Sequence, residues 1–141
     1  MATNSKFTIA VHILTMLANA NDEPLKSEYV ACSINTNPVV VRRIWSTLAK
    51  AGLLTSRTGA TGGSRLARAA SKITLLDVYQ AVETGCMFPS HPNQPNQNCQ
   101  IGKNIQGALE GIFAQAQHEM EQSLARRTIA DILQTVMQCK L

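Results

Sequence analysis

Arg42, Arg43, Lys50, Arg57, Arg65, Arg68 and Lys72 fall in a stretch with no acid between Glu28 and Asp77. Uncompensated cations over one segment are the electrostatic footprint of a polyanion site. They are equally the mark of an ordinary solvated basic face, so charge alone does not decide. Cys32, Cys86, Cys99 and Cys139 offer thiol or metal-ligand chemistry. The glycine-rich run Thr58-Gly59-Ala60-Thr61-Gly62-Gly63 lacks the Gly-Lys-Ser/Thr ending of a phosphate-binding loop, and no helix start follows it. His12 and His118 stand singly in helical stretches, where they read as ordinary helix residues. There is no Ser/His/Asp set, carboxylate pair or metal-ligand motif with suitable spacing, and Cys99 with His91 is a thin basis for catalysis. Neither an enzyme nor a metal site is expected.

Composition narrows the class further. The chain has 141 residues and a formal net charge of +4, which averages over two unlike parts. Residues 1–82 carry nine basic and four acidic groups, whereas residues 83–141 carry four basic and five acidic. The length suits one domain with an added arm, and 45% apolar residues argue against disorder. Aromatics are only 4%, which counts against a base-stacking platform for single strands. The best apolar stretch, Phe7 to Ala18, is too short for a membrane span and lacks the flanks of a secretory signal. A soluble, cytoplasmic protein with no membrane partner is expected.

The elements that must position the cations can be read from periodicity and caps. Phe7–Ala20 is a helix with Phe7, Ala10, Val11, Leu14, Leu17 and Ala18 on one face, and a short helix follows over Ser27–Ser33. Asn37 is a good N-cap and Pro38 fits the first helical position. Val41, Ile44, Trp45 and Leu48 then form an apolar back, and Gly52 ends the helix. Val39, Arg43, Ser46 and Lys50 cluster on the opposite face, flanked by Arg42. Leu53–Arg57 and Ser64–Arg68 read as strands joined by the glycine-rich turn. Thr74 with Asp77 caps a helix running to about Thr84, stapled by Ile73 and Val78. The Pro-, Asn- and Gln-rich residues 85–103 read as a loop, after which Asn104 caps a long helix. Its stripe of Ile105, Leu109, Ile112, Ala116, Met120 and Leu124 is too long for so small a domain to cover, which predicts a partner helix and a homodimer. Thr128 with Asp131 starts a final helix.

The expected fold is therefore mostly α with a small β-hairpin: a winged helix-turn-helix over residues 1–84, a loop over 85–103 and a dimerisation helix with a C-terminal helix over 104–141. A helix fits the B-DNA major groove with its N-terminal residues at the base edges. Arg42 and Arg43 are candidates for guanine, and Val39 for a thymine methyl. Asn37, the free amides at the helix start, Ser46 and Lys50 complete this face, with Asn37, the amides and Lys50 as phosphate contacts. On the wing, Thr61, Gly62, Gly63, Ser64, Arg65 and Arg68 are candidates for the minor groove or backbone. The charge gap, the helix faces and the hairpin agree on double-stranded DNA as partner.

These residues resemble a known family. Asn37-Pro38-Val39-Val40-Val41-Arg42-Arg43-Ile44, Leu48 to Ser56 and Gly59 to Arg68 are similar to the Rrf2 family of bacterial winged-helix transcription regulators, the group that includes IscR, NsrR and CymR. The segment Ile73–Glu83 and Cys99-Gln100-Ile101-Gly102-Lys103 before a long helix also match. The resemblance covers nearly the whole chain, and the Asn-Pro-Val-Val-Val-Arg-Arg run looks most like a cluster-less, YwnA-like branch. It implies a homodimeric regulator, read as a repressor, with the long helices of two chains packed together.

The family's sensors hold an iron–sulfur cluster through three closely spaced cysteines before the dimer helix and one further ligand. Here Cys99 matches the last of them, the others are absent, and Gly102 stands where the family has histidine. Clusters normally require four ligands, so no cofactor is expected. Cys99 remains a candidate redox thiol, because Lys103 and the helix start favour a thiolate; an inert loop cysteine fits equally. Cys32 is expected to be a small core residue. A disulfide does not suit a cytoplasmic protein. Two alternatives stay open: a protein-interaction module that kept the winged-helix shape, and a thiol or iron–sulfur redox sensor acting through Cys99. The small-molecule or redox effector is unknown.

Overall fold

A computed structural model describes residues 5–139. Helices α1 (Lys6–Asn19), α2 (Ser27–Ile34) and α3 (Pro38–Lys50) are followed by strands β1 (Leu54–Arg57) and β2 (Gly63–Leu66). A 3-10 turn over Ala70–Lys72 leads to α4 (Leu75–Val82), α5 (Gln100–Ala125) and α6 (Ile129–Gln138). The chain is mostly α with one antiparallel hairpin, as the residue pattern predicts.

Helix α1 runs through the centre, touching α3, α4 and α6. Being covered on several sides, it buries Ile13 completely, although Ile13 lies outside the predicted stripe. Leu14, Leu17, Val30, Val41, Leu48 and Val78 join it in one core. The turn between α2 and α3 is set by Asn35, which ends α2 in the left-handed region at φ 61°. Asn tolerates that conformation better than other side chains with a Cβ. Two residues later the Asn37 side chain accepts a hydrogen bond from the Val39 amide at 2.9 Å, and Pro38 opens α3.

The C-terminal arm is tied back at its far end. Both helix starts read from Thr74 with Asp77 and Thr128 with Asp131 form, each as a reciprocal capping box. Their threonines pair in an antiparallel bridge, with the Leu75 amide donating to Arg127 O and the Ile129 amide to Ile73 O, each at 2.9 Å. The C-terminal end of α5 is thus held at the domain, and α6 lies on α1. At 26 residues α5 spans about 39 Å.

Several boundary or burial expectations need correction: β2 runs from Gly63 to Leu66, short of Arg68, and α4 ends at Val82, short of Thr84. Helix α5 starts at Gln100, not after Asn104. The Cys99 sulfur takes the N-cap role, accepting from the Gly102 amide at 3.5 Å. Asn104 sits inside the helix and donates from Nδ2 to Gln100 O at 2.7 Å, so the irregular segment ends at Cys99 rather than residue 103. Cys32 is exposed, not part of the core, because α2 buries only Ser27, Val30 and Ala31.

Candidate nucleic-acid interface

The α3 face is set by its burial pattern. Val41, Ile44, Trp45 and Leu48 are buried, which turns Arg42, Arg43, Ser46 and Lys50 outward. Val39 is 43% exposed at the helix start. Asn37 is also exposed, with its side-chain oxygen committed to the cap. The predicted α3 residues therefore share one open surface.

The two arginines differ in a way the sequence does not reveal. The Arg42 guanidinium turns to the start of α2, where Nη1 donates to the Ser27 hydroxyl at 3.0 Å and lies 3.6 Å from a Glu28 carboxylate oxygen. The Arg43 guanidinium has no ion pair or hydrogen-bond partner among the described residues.

The wing is docked as well as folded. Residues Leu54 to Arg57 pair with Leu66 back to Gly63. Leu25 adds a bridge to Ser64, with amide–carbonyl bonds of 3.0 and 2.9 Å. The Lys26 ammonium donates to Gly59 O at 2.7 Å and ties the turn to the base of α2. Gly63 lies at φ +139°, and a Cβ there would meet the Leu25 carbonyl oxygen at 2.7 Å. A Cβ at Gly62 would sit 2.3 Å from the Arg57 carbonyl oxygen.

Several wing candidates are therefore not placed as a DNA-contact reading needs. The Ser64 hydroxyl is fully buried and bonded to the Ser56 hydroxyl, so it braces the hairpin and presents no polar group to a groove. Gly62 is buried too, and Gly63 serves the close approach to Leu25. Arg68 lies beyond β2, where Nη1 donates to Lys72 O at 3.3 Å and stands 4.0 Å from Asp77. It is held toward α4, away from the turn. Thr61 and Arg65 remain exposed on the wing.

Between α3 and the wing lies a cleft of about 760 Å³. Its lining includes Arg42, Ser46 and Lys50, together with Lys26 and Arg57. Lys26 and Arg57 are additions to the predicted set. Arg57 lies within the acid-free gap, whereas Lys26 precedes Glu28 and joins only through the Leu25–Ser64 pairing.

The end of the loop before α5 is closely packed around Cys99 and Gly102. Cys99 caps α5, and a Cβ at Gly102 would meet the Asn96 carbonyl oxygen at 2.5 Å. A histidine three residues after Cys99 has no room without displacing the loop. Among the described residues, no three of His, Cys, Asp or Glu gather where a metal could be held, and all four thiols are exposed. Phe88 of the loop instead stacks on Phe113 of α5 at 4.7 Å between centroids.

The predicted α5 stripe divides between two environments. Leu124 packs against the core, and Leu109 lines a cleft shared with Phe88 and Phe113. Ile105, Ala116 and Met120 are half-buried. Ile112 is 63% exposed and Ile101, one helical face away from the cleft, 74%. No residue of α5 is fully buried within its own chain. None of the described helices is long and apolar enough to cross a membrane.

Comparison with known proteins bears on this geometry. The Rrf2 family, described as an iron-dependent transcriptional regulator, matches residues 3–135. The chain is 45% identical over 131 residues to the "Putative HTH-type transcriptional regulator YwnA" of Bacillus subtilis (strain 168), covering 92% of this chain and 96% of that one. It superposes on a crystal structure titled as that of "a putative DNA binding protein" with a TM-score of 0.74, at 41% identity, covering 92% and 99% of the two chains. T. potens IscR has the same fold, with a TM-score of 0.74 at 21% identity over 100% of this chain and 93% of that one.

Proposed function

This chain belongs to the Rrf2 family of transcriptional regulators, and from that premise we propose that it is a homodimeric, sequence-specific DNA-binding repressor that works without an iron–sulfur cluster. That it is a helix-turn-helix regulator and not an enzyme follows from the family and from its relatives. The observation that carries the rest is the α3 surface, with Arg43 unpaired among the described residues and Val39, Ser46 and Lys50 beside it. Asn37, Val39 and the first turn of α3 enter the major groove. Arg43 reads a guanine, while Lys50, Lys26 and Arg57 meet phosphates. Thr61 and Arg65 of the wing reach the adjacent groove or backbone. In this reading a dimer seated in two major grooves represses by blocking access to the duplex, and it works in the cytoplasm, where the DNA is.

Dimerisation is supported by α5, where Ile101 and Ile112 lie bare on a helix with no fully buried residue. Selection from random duplexes tests this reading. Wild-type protein should recover a near-palindromic site, and its affinity should fall steeply with salt. Ile112→Glu should sediment as a monomer and bind that site at least tenfold more weakly, since a lone half-site loses its partner's contacts. Equal affinity for every duplex at raised salt would sink the proposal.

What supports the cluster-less reading is the sequence, with Cys99 matching one family ligand and Gly102 in place of histidine, and the closeness of the Asn96 carbonyl to any side chain at 102. Protein purified without oxygen should be colourless, with no visible charge-transfer bands. Bands that vanish in Cys99→Ser would reverse it.

A further inference from the structure

The cleft between α3 and the wing gathers Lys26, Arg42, Lys50 and Arg57, and Glu28 is the one carboxylate among its lining residues. Glu28 stands in the first turn of α2, with its side chain 69% exposed. One of its oxygens lies 3.6 Å from Arg42 Nη1, and the other accepts from the Ser27 hydroxyl at 3.3 Å. Because Arg42 Nη1 also donates to that hydroxyl, Ser27, Glu28 and Arg42 form a closed set. Ser27 itself is buried, so the set is anchored to the domain.

An acid here is costly for DNA affinity. It faces the phosphates that the four cations attract, and it occupies Arg42. An exposed ion pair gives little stability in return. A first-turn acid does favour the α2 dipole, but that benefit has no bearing on which duplex is bound. The two penalties fall unevenly on different duplexes. Non-specific binding consists almost wholly of phosphate contacts, so it bears them in full. On a correct site the base-edge contacts of Val39 and Arg43 fix α3 in a register in which Arg42 keeps its place on Ser27 and Glu28, so freeing Arg42 adds a phosphate contact only where no such register is imposed.

We propose that Glu28 is a specificity-determining residue of this surface: it holds Arg42 against α2 and repels backbone phosphate, so that duplexes without matching base edges are rejected. This rests on the DNA-binding reading above. Like-charge placement is a general way to suppress wrong partners.

The test uses the full chain and two duplexes: one recovered from a random library by wild-type protein, and a scrambled duplex of equal length and composition. Fluorescence anisotropy over a salt series gives affinity and salt slope. Glu28→Gln keeps a polar side chain and removes the charge. It should bind the scrambled duplex about fivefold more tightly, with a salt slope steeper by about two as Arg42 of each protomer gains a phosphate. Affinity for the selected duplex should change by no more than about twofold, as its base contacts are already made. Glu28→Asp should retain the wild-type ratio. Equal change on both duplexes, or none on either, overturns the proposal. Wild-type protein without preference for the selected duplex overturns the DNA-binding reading itself, a different and prior outcome.

Discussion

Arg43→Ala will lower affinity for the selected duplex roughly a thousandfold while leaving scrambled DNA within about tenfold. A bidentate arginine on guanine is worth about 1–3 kcal/mol of discrimination, and a dimer makes the contact twice, so the expected loss is about 4 kcal/mol. Arg43 suits this role because it lies on the outward face of α3, opposite buried Val41 and Trp45, and its guanidinium has no partner among the described residues. Nothing must be broken before it meets a base. Arg42 differs, since it must first leave Ser27 and Glu28. Scrambled DNA loses only a phosphate contact per protomer, which is a smaller and salt-dependent term. Competitive anisotropy with both duplexes distinguishes the outcomes. Equal losses on the two would make Arg43 a phosphate contact and move base reading elsewhere on α3.

Gly63→Ala will destabilise the domain by about 3 kcal/mol, combining positive-φ strain with overpacking. The backbone lies at φ +139°, and the new Cβ would fall 2.7, 3.0 and 3.2 Å from the O, C and N atoms of Leu25. Backbone cannot yield as a side-chain tip does, so the Leu25–Ser64 bridge must open. The midpoint of thermal unfolding should drop by on the order of 10 °C. Gly59→Ala is the control, because that residue lies at φ +99° with nothing within 4 Å of a Cβ. It carries the conformational strain without the collision and should lose about half as much. If the two variants melt together, wing docking contributes nothing beyond turn geometry. Measured at a temperature where both fold, DNA affinity should fall further for Gly63→Ala, since only there is the wing displaced from its docking on Leu25.

Local chemistry made much of the architecture legible. Asn37-Pro38, Thr74 with Asp77 and Thr128 with Asp131 announce helix starts through hydrogen bonds closed within four residues, and all three form. Trp45 and Leu48 fix which side of α3 is hidden, and so which side is offered to a partner. The start of α5 is not legible in the sequence because a thiol is a weak acceptor seldom read as a cap, while Asn104 advertises a capping role it does not fill. Cys32 reads as core by residue type alone, yet the turn of α2 leaves it outside.

What the sequence determined by itself is therefore the set of elements, the amphipathic division of α3 and the asymmetry of charge between the two parts of the chain. Caps, turns and periodicity act over one or two turns of chain, so they are written locally. The tertiary structure decided which predicted contacts remain available. It brought Glu28 across to Arg42, and Asp77 near Arg68, so acids flanking the gap act on cations within it. It buried Ser64 beneath the wing through Leu25 and recruited Lys26 by the same pairing. Those outcomes depend on the distance between side chains on different elements. That distance is fixed by how α2, α3 and the hairpin pack around α1, and no local pattern encodes it.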